Sequence, residues 1–246
     1  MGRHKQLKIM PLSDLHYGST TFNEALFEKW LNIAKTSKWK AIILNGDLLE
    51  FLDANRFYKP KNYIDVNEQL EYVIDSLKPF RKDIICNLNG NHGTRTKKQY
   101  DLDTDQLIGD ALGVETSKSY HEDLCISKGR YSKYIRIYAQ HKAPTSKSTL
   151  LAMRRFIDQM EDIDAELYIG GHNHKTIGVT KVYRGLDYTP LRKTFIFAGS
   201  FLDYKGSYAE DGGYGFQIPS FPVITVDKDK NVNYKTIWAD EIGDDE

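Results

Sequence analysis

Five short apolar runs in this chain stop abruptly, and each stops at a loop carrying aspartate, asparagine or histidine. The loops are Asp14–His16 (DLH), Gly46–Glu50 (GDLLE), Gly90–His92 (GNH), Gln140–Lys142 (QHK) and Gly170–His174 (GGHNH). Between the first three runs lie segments with helical spacing. One is "TFNEALFEKWLNIAK", with Leu26, Phe27, Trp30, Leu31 and Ile33; the other is "DVNEQLEYVIDSLKP", stopped by Pro79. Thr21 and Glu24 fit a capping box at the start of the first helix. Strands that alternate with helices predict parallel βαβ units, whose strands end along one shared sheet edge, so the polar loops converge there.

After "TDQLIGDALG", a predicted third helix, the character shifts towards strand. "LCISK" and "KYIRIYA" read as neighbouring strands with Lys128–Ser132 as their turn, "STLLAMRRFIDQM" as a helix, and "AELYIGGHNH" as a strand ending in a loop. "TIGVTKVY", "KTFIFAG", "FPVITVD" and "NVNYKTIW" are further strands, the last two joined by "DKDKN". No repeat or linker divides the chain. The expectation is one domain over 1–246, with a βαβαβ half at about 6–115 and a β-rich half at about 120–238 that forms a second sheet. The acidic tail "DEIGDDE" is expected to fray, and "DGGYG" lacks the lysine and helix of a phosphate loop.

Lys+Arg and Asp+Glu both number 34, so no global field draws the protein to nucleic acid or anionic lipid; such binding needs a local patch. The start "MGRHKQLKIM" has no apolar signal core, Gln6 breaks the myristoylation pattern, and no apolar stretch reaches membrane-span length. Cys86 and Cys125 lie in strand-like apolar runs and are read as buried, reduced thiols. A cytoplasmic location without a membrane partner is the expectation, and nothing indicates an oligomer.

Five of the seven histidines (His16, His92, His141, His172 and His174) fall in the five loops; His4 and His121 are read as exposed. Asp14 and His16 are two apart, as are His172 and His174, so in extended backbone each pair projects from one face. Carboxylates and imidazoles without thiolate suit Mn²⁺, Fe or Zn²⁺ rather than a structural zinc site. Two Asp, one Asn and several His exceed the needs of one ion. They suggest two ions sharing a bridging carboxylate, roughly 3.5–4 Å apart, that activate water for in-line attack on phosphorus.

In order and placement, DLH, GDLLE, GNH, the isolated His141 and GHNH resemble the calcineurin-like metallophosphoesterase family from Asp14 to His174. The resemblance implies an α/β fold, a four-layer α/β/β/α sandwich of two mixed sheets flanked by helices. It also implies two divalent ions, Mn first with Fe or Zn as alternatives. Asp14, His16 and His174 would hold one ion, and Asn91, His141 and His172 the other, with Asp47 bridging. A hydroxide between the ions would be the nucleophile, and His92 would protonate the leaving oxygen or bind phosphoryl oxygens. The glycines flanking Asn91 and His92 are read as letting that loop turn sharply.

The chain departs from the family pattern in two places. Gly93 stands where an acidic residue commonly follows GNH, so any tuning of His92 must come from elsewhere. The motif around His141 lacks a neighbouring glycine. Glu50 is read as an early helical residue near the site, not a ligand. GDLLE also resembles a branch that cleaves pyrophosphate in nucleotide-sugar lipids, but that branch has Arg in the place of His92.

For the substrate, Arg95, Lys97 and Lys98 follow GNH; Arg95 is a candidate phosphate fork, with a solvated basic loop as the equal alternative. Arg154 and Arg155 read as a solvated helix face. The aromatics of "SFLDYKGSYAEDGGYGF" suit base stacking or, in preference, core and lid packing. The layout is similar to compact bacterial or phage phosphoesterases. A phosphodiesterase or nuclease acting on nucleic acid or nucleotides leads. The alternatives are a phosphomonoesterase for small molecules or phosphoproteins, and a catalytically silent metal-binding subunit of a nucleic-acid machine.

Overall fold

The inner strands of the two sheets alternate their side chains between two different cores, and that parity explains the layering. The computed structural model describes residues 6–51, 64–127, 132–213 and 215–242. The first half runs β1 (Leu7–Leu12), α1 (Glu24–Thr36), β2 (Lys40–Leu44), α2 (Val66–Leu77), β3 (Ile84–Leu88), α3 (Asn91–Tyr100), α4 (Thr104–Leu112) and the short β4 (Thr116–Ser117). The second half runs β5 (Ser119–Ser127), β6 (Lys133–Lys142), α5 (Thr149–Met160), β7 (Leu167–Gly171), β8 (Thr176–Arg184), β9 (Pro190–Ala198), β10 (Ser220–Val226) and β11 (Val232–Trp238). The expected turn at Lys128–Ser132 lies largely outside the described residues, as do His4 and most of the acidic tail.

One sheet has the order β11-β10-β1-β2-β3-β4, the other β5-β6-β7-β9-β8. β1 to β4 are parallel, as are β6, β7 and β9, and the remaining strands pair antiparallel. Both sheets are therefore mixed. Leu7, Ile9, Ala41 and Ile43 face Ile135, Ile137, Leu167, Ile169, Ile196 and Ala198 of the other sheet across an apolar centre. On the alternate positions, Met10, Leu12, Ile42 and Leu44 pack under α1, α2 and α4. Tyr168, Phe195 and Phe197 likewise pack under Ala152, Met153, Phe156 and Met160 of α5. This is the α/β/β/α sandwich expected from the sequence.

Two local expectations are corrected. Not all of the β-rich half enters the second sheet, because β10 crosses back and pairs antiparallel with β1, carrying β11 with it. Almost every residue of β10 is buried, and an interior place beside β1 covers both of its faces. At α1 the cap is Asn23 rather than Thr21: Asn23 Oδ1 accepts the Leu26 N–H at 2.8 Å, while Asn23 Nδ2 donates to Asp203 Oδ1 at 2.8 Å. Asparagine outranks threonine as a cap, and the tie to Asp203 holds it in place. Both cysteines are free; Cys86 is buried and Cys125 only half-buried.

Ile137 is completely buried between the sheets and touches no loop of the candidate site. Ile137→Ala should cost about 2–5 kcal/mol of stability, read from urea unfolding, through lost transfer energy and a residual cavity.

Candidate metal centre

β1, β2 and β3 end side by side, as do β6 and β7, so the motifs meet at one edge of the sandwich; Gln140–Lys142, expected as a loop, are instead the last residues of β6, because the strand stays paired with β7 as far as Lys142. The loops after β1 and β2 stay hydrogen-bonded beyond their strands: Asp14 N–H to Gly46 O at 3.1 Å, His16 N–H to Asp47 O at 3.0 Å, and Tyr17 N–H to Leu48 O at 3.0 Å. Contrary to the expectation of extended backbone, Asp14, His16, Asp47, His172 and His174 are all left-handed, with φ of 50°, 49°, 50°, 63° and 58°. The two-residue spacing thus brings each pair together through successive left-handed turns, not through strand alternation. Such residues are strained, and their clustering marks a functional site.

Asp14 is fully buried. Its Oδ2 is occupied, accepting from Ser13 Oγ at 2.5 Å and from the His172 N–H at 2.9 Å. Its Oδ1 approaches His174 Nε2 at 3.1 Å and His16 Nε2 at 3.9 Å. Asp47 Oδ1 accepts the His92 N–H at 2.8 Å, while its Oδ2 lies 3.0 Å from His141 Nε2. The Asn91 amide lies against the His172 ring, 2.6 Å from Nδ1. A half-turn about its last side-chain bond would present the amide oxygen there.

One converging set is Asp14, His16 and His174; another is Asp14, Asp47, His141 and His172, with Asn91 beside it. All seven expected ligand residues therefore meet. Asp14 belongs to both sets, and Asp47 also converges with His16 and His92, so both carboxylates sit centrally. The buried Asp14 Oδ1, His16 Nε2 and His141 Nε2 make no aligned hydrogen bond despite these short approaches. Buried polar atoms are rarely left so. Lone pairs that converge on common points without pairing fit divalent cations, and the all-N/O donor set suits hard or borderline ions.

Two supporting carboxyls were not recognised as such in the sequence. Glu50 lies on a non-helical stretch, contrary to expectation, with Oε2 2.8 Å from His16 Nδ1. That placement orients the His16 imidazole from behind. The Glu50 backbone carbonyl faces His92 Nδ1, so His92 is positioned without an acid at residue 93. The GNH segment is likewise not an extended loop: Asn91 and His92 open helix α3, so its positive end points at the site. Gly90 has an ordinary negative φ and is required by close approach, since a Cβ there would strike the Asp47 backbone and carboxylate. At Gly93 a Cβ would strike the Asp105 carboxylate, whose Oδ2 accepts the Gly90 N–H at 2.9 Å. A buried acid from α4 thus occupies the space that a side chain at position 93 would need.

The electrostatics follow from burial and charge. Burial opposes ionisation of Asp14, but the His174 and His141 imidazoles outweigh it and bring the carboxyl down to about 2. For Asp47 burial is again outweighed, chiefly by His141, and its carboxyl lies well below the usual range. His141 is raised to about 9 because Asp47 and Asp14 outweigh its desolvation. His92 is pushed down by burial and by His16.

The centre floors an open cleft of about 610 Å³, within the usual range for a small-molecule site of about 300–1,000 Å³. His92 and Arg95 line it, with Leu202, Ser207 and Asp211 on the far wall. Arg95 thus reaches the site, whereas Lys97 pairs with Asp103 at 2.6 Å, on a helix rather than the expected basic loop. Arg154 is exposed beside Asp158, as its solvated reading implies, and His121 is exposed. Of the aromatic segment, Phe201 joins the core and Tyr204 meets Phe216 edge-on.

No family model and no curated protein matches the chain. Among solved structures, Vps29 of Chaetomium thermophilum aligns over 96% of both chains at 11% identity and a TM-score of 0.41. A Vps29 variant from Entamoeba histolytica aligns over 95% of this chain and 98% of its own, at 13% identity and a TM-score of 0.44. Thermotoga maritima TM1076 aligns over 94% and 98%, at 15% identity and a TM-score of 0.41. The class is defined by the chain's own features: an α/β/β/α sandwich with an Asp/His cluster, able to bind metal, on the loops at one edge.

Burial raises the Asp105 carboxyl to about 7, with a further push from Asp47, so the fold favours its neutral form. Its contribution to stability is complete below the ordinary carboxyl value of 3.8 and is lost as pH climbs through about 7. In chelated protein, raising the pH from about 5 to about 8 should lower the melting temperature of wild type more than that of Asp105→Asn. Equal slopes would contradict this assignment.

Proposed function

We propose that the chain is a metal-dependent phosphoesterase carrying two divalent ions, with manganese as the first choice, and that it hydrolyses phosphodiesters of nucleic acid or nucleotides. The observation that carries this reading is the meeting of Asp14, His16, Asp47, Asn91, His141, His172 and His174, with buried lone pairs that converge without pairing. Asp14, His16 and His174 would hold one ion and Asn91, His141 and His172 the other, with Asp47 between them. Bound there, the ions supply Lewis-acid polarisation of the phosphoryl oxygens and an acidified water.

The protein's own residues do the rest. The ionised Asp14 and Asp47 balance the positive charge. Glu50 orients His16, and its carbonyl takes the His92 Nδ1–H. That leaves His92 Nε2 as the ring atom for proton exchange with the leaving oxygen. Arg95, on the cleft wall, is placed to fork onto phosphoryl oxygens. The open cleft favours a diester over a small monoester, since it leaves room for a group on either side of phosphorus.

Metal analysis of the purified protein should find two divalent ions per chain. With Mn²⁺ added, a bis-aryl phosphate should be cleaved faster than the aryl monoester; a strong monoester preference would instead make this a phosphatase. Asp47→Asn should lower turnover by more than about a hundredfold, beyond the usual cost of losing a residue behind a ligand, with folding intact by circular dichroism. A fully folded protein inactive on every phosphate ester would favour the silent metal-binding subunit. Glu50→Gln, which keeps shape but removes charge, should weaken metal affinity by about ten- to a hundredfold in competition with a chelating dye.

A further inference from the structure

The hairpin of β8 and β9 outruns its own sheet. β9 pairs with β7 only from Thr194 to Phe197, but with β8 as far as Pro190, which lies opposite Arg184. Beyond Thr194 the two strands therefore continue as a two-stranded ribbon. Glu161, just after α5, fastens the base of this ribbon, accepting from Lys181 Nζ at 2.5 Å and from the Tyr183 hydroxyl at 2.8 Å. The Gly185 N–H closes the tip by donating to Thr189 O at 2.8 Å. β8 starts two residues after His174 and runs away from the metal loops for nine residues, so the tip stands roughly 30 Å from them. A ligand in the metal cleft does not reach it.

Apolar side chains crowd this tip. Leu186 and Tyr188, 91% and 81% exposed, are the barest large apolar residues among those described. Val182 and Leu191 are also exposed, and strand alternation puts them on opposite faces of the ribbon: Val182 beside its partner Arg192, Leu191 beside Tyr183. Apolar surface thus surrounds the tip instead of forming one face. Arg184 and Arg192 are exposed as well, and among the described residues no carboxylate pairs with either. Arg184 lies over the Tyr188 ring at 5.3 Å, and Asp187 is the one acid between the two arginines.

These features select the occupant. A flat protein partner covers one face of a ribbon, whereas an apolar phase accepts side chains on every side of a tip. A second copy of the chain would set Arg184 and Arg192 against the same cations. Leu186 and Val182 offer nothing to a nucleic acid, whose bases stack on aromatic rings. At a lipid surface each group has a place: leucine in the acyl boundary, tyrosine at headgroup level, and arginine on lipid phosphates. The balanced charge of the whole chain leaves membrane contact to a local patch, and this tip is one. We propose that the β8–β9 tip docks the protein on anionic membranes, seating Leu186 and Tyr188 in the interface and Arg184 and Arg192 on the headgroups. This goes beyond the phosphoesterase reading and does not depend on it.

The test is cosedimentation of the full chain with vesicles of mixed phosphatidylcholine and phosphatidylserine, and with vesicles of phosphatidylcholine alone. The mixed vesicles should bind the protein, and the uncharged ones far less. Leu186→Ser, at a bare position that the folded core does not use, should weaken binding about tenfold or more. Arg184→Gln combined with Arg192→Gln should weaken it roughly thirtyfold, at about fivefold for each cation. Tyr188→Trp should add an indole emission that brominated lipid tails quench, which separates insertion from adsorption. No binding to mixed vesicles, binding that survives the leucine and arginine substitutions, or an emission left unquenched would overturn the proposal. So would a dimer in sedimentation velocity that Leu186→Ser dissociates, which would make the occupant a second copy. Oligonucleotide binding that is lost with the arginines and indifferent to Leu186 would overturn it in favour of nucleic acid.

Discussion

Two carboxylates held almost entirely out of water, Asp14 at 0% and Asp47 at 2% exposure, are the constraint on which the rest of this structure depends. A buried ion costs several kcal/mol unless opposite charge and hydrogen bonds compensate it. Here the compensation comes from the four motifs other than the loop that carries Asp47, which they hold in turn: imidazoles from three, backbone N–H groups of His92 and His172, and the Ser13 hydroxyl. Each loop is therefore tied to the others through the same two side chains. Both of them and three of the histidines around them take left-handed backbone, at about 1–3 kcal/mol each, and so much local strain persists only where the surroundings over-determine it.

What holds the loops in place is the layering beneath them. The inter-sheet core is formed by one parity of the inner strands and the helix-facing cores by the other, so none of these strands can slip by one residue without exposing both sets. Asp14, Asp47, His172 and His174 lie just beyond strand ends, His141 in the last residues of β6 and Asn91 at the start of α3, all elements whose positions are set by close packing. Loops on a rigid scaffold can bring donor atoms within a few ångströms of one another while the backbone between them remains irregular. Helix α3 adds a directional element, because its positive end faces the centre just where Asn91 and His92 begin it.

Much of the site was legible because its chemistry is carried by residue types that are scarce elsewhere in the chain. Five of seven histidines standing at strand ends is a pattern that neither core packing nor surface composition produces. The supporting residues were less legible. Asp105 reaches Gly90 across fifteen positions from another helix, and an aspartate at a helix start reads first as a local capping or dipole residue. Glu50 lay inside a motif, but its role depends on a backbone that does not continue into helix. The reading of the glycines around Asn91 was incomplete for a similar reason. What excludes a side chain at Gly90 and Gly93 is Asp47 and Asp105, which are distant in sequence.

The sequence alone determined the alternation of strand and helix, the two-sheet layering, and the seven donors gathered at one edge. The alternation and the gathering of polar loops follow from local periodicity and side-chain chemistry, whereas the four layers and the choice of those seven donors came from the resemblance of the motifs to a known family. Tertiary structure alone decided that β10 and β11 return to β1, that the paired Asp and His residues meet through left-handed turns, and which acids stand behind the imidazoles. Those outcomes depend on atoms brought together from separate stretches of chain, and periodicity along one stretch carries no information about what lies opposite it.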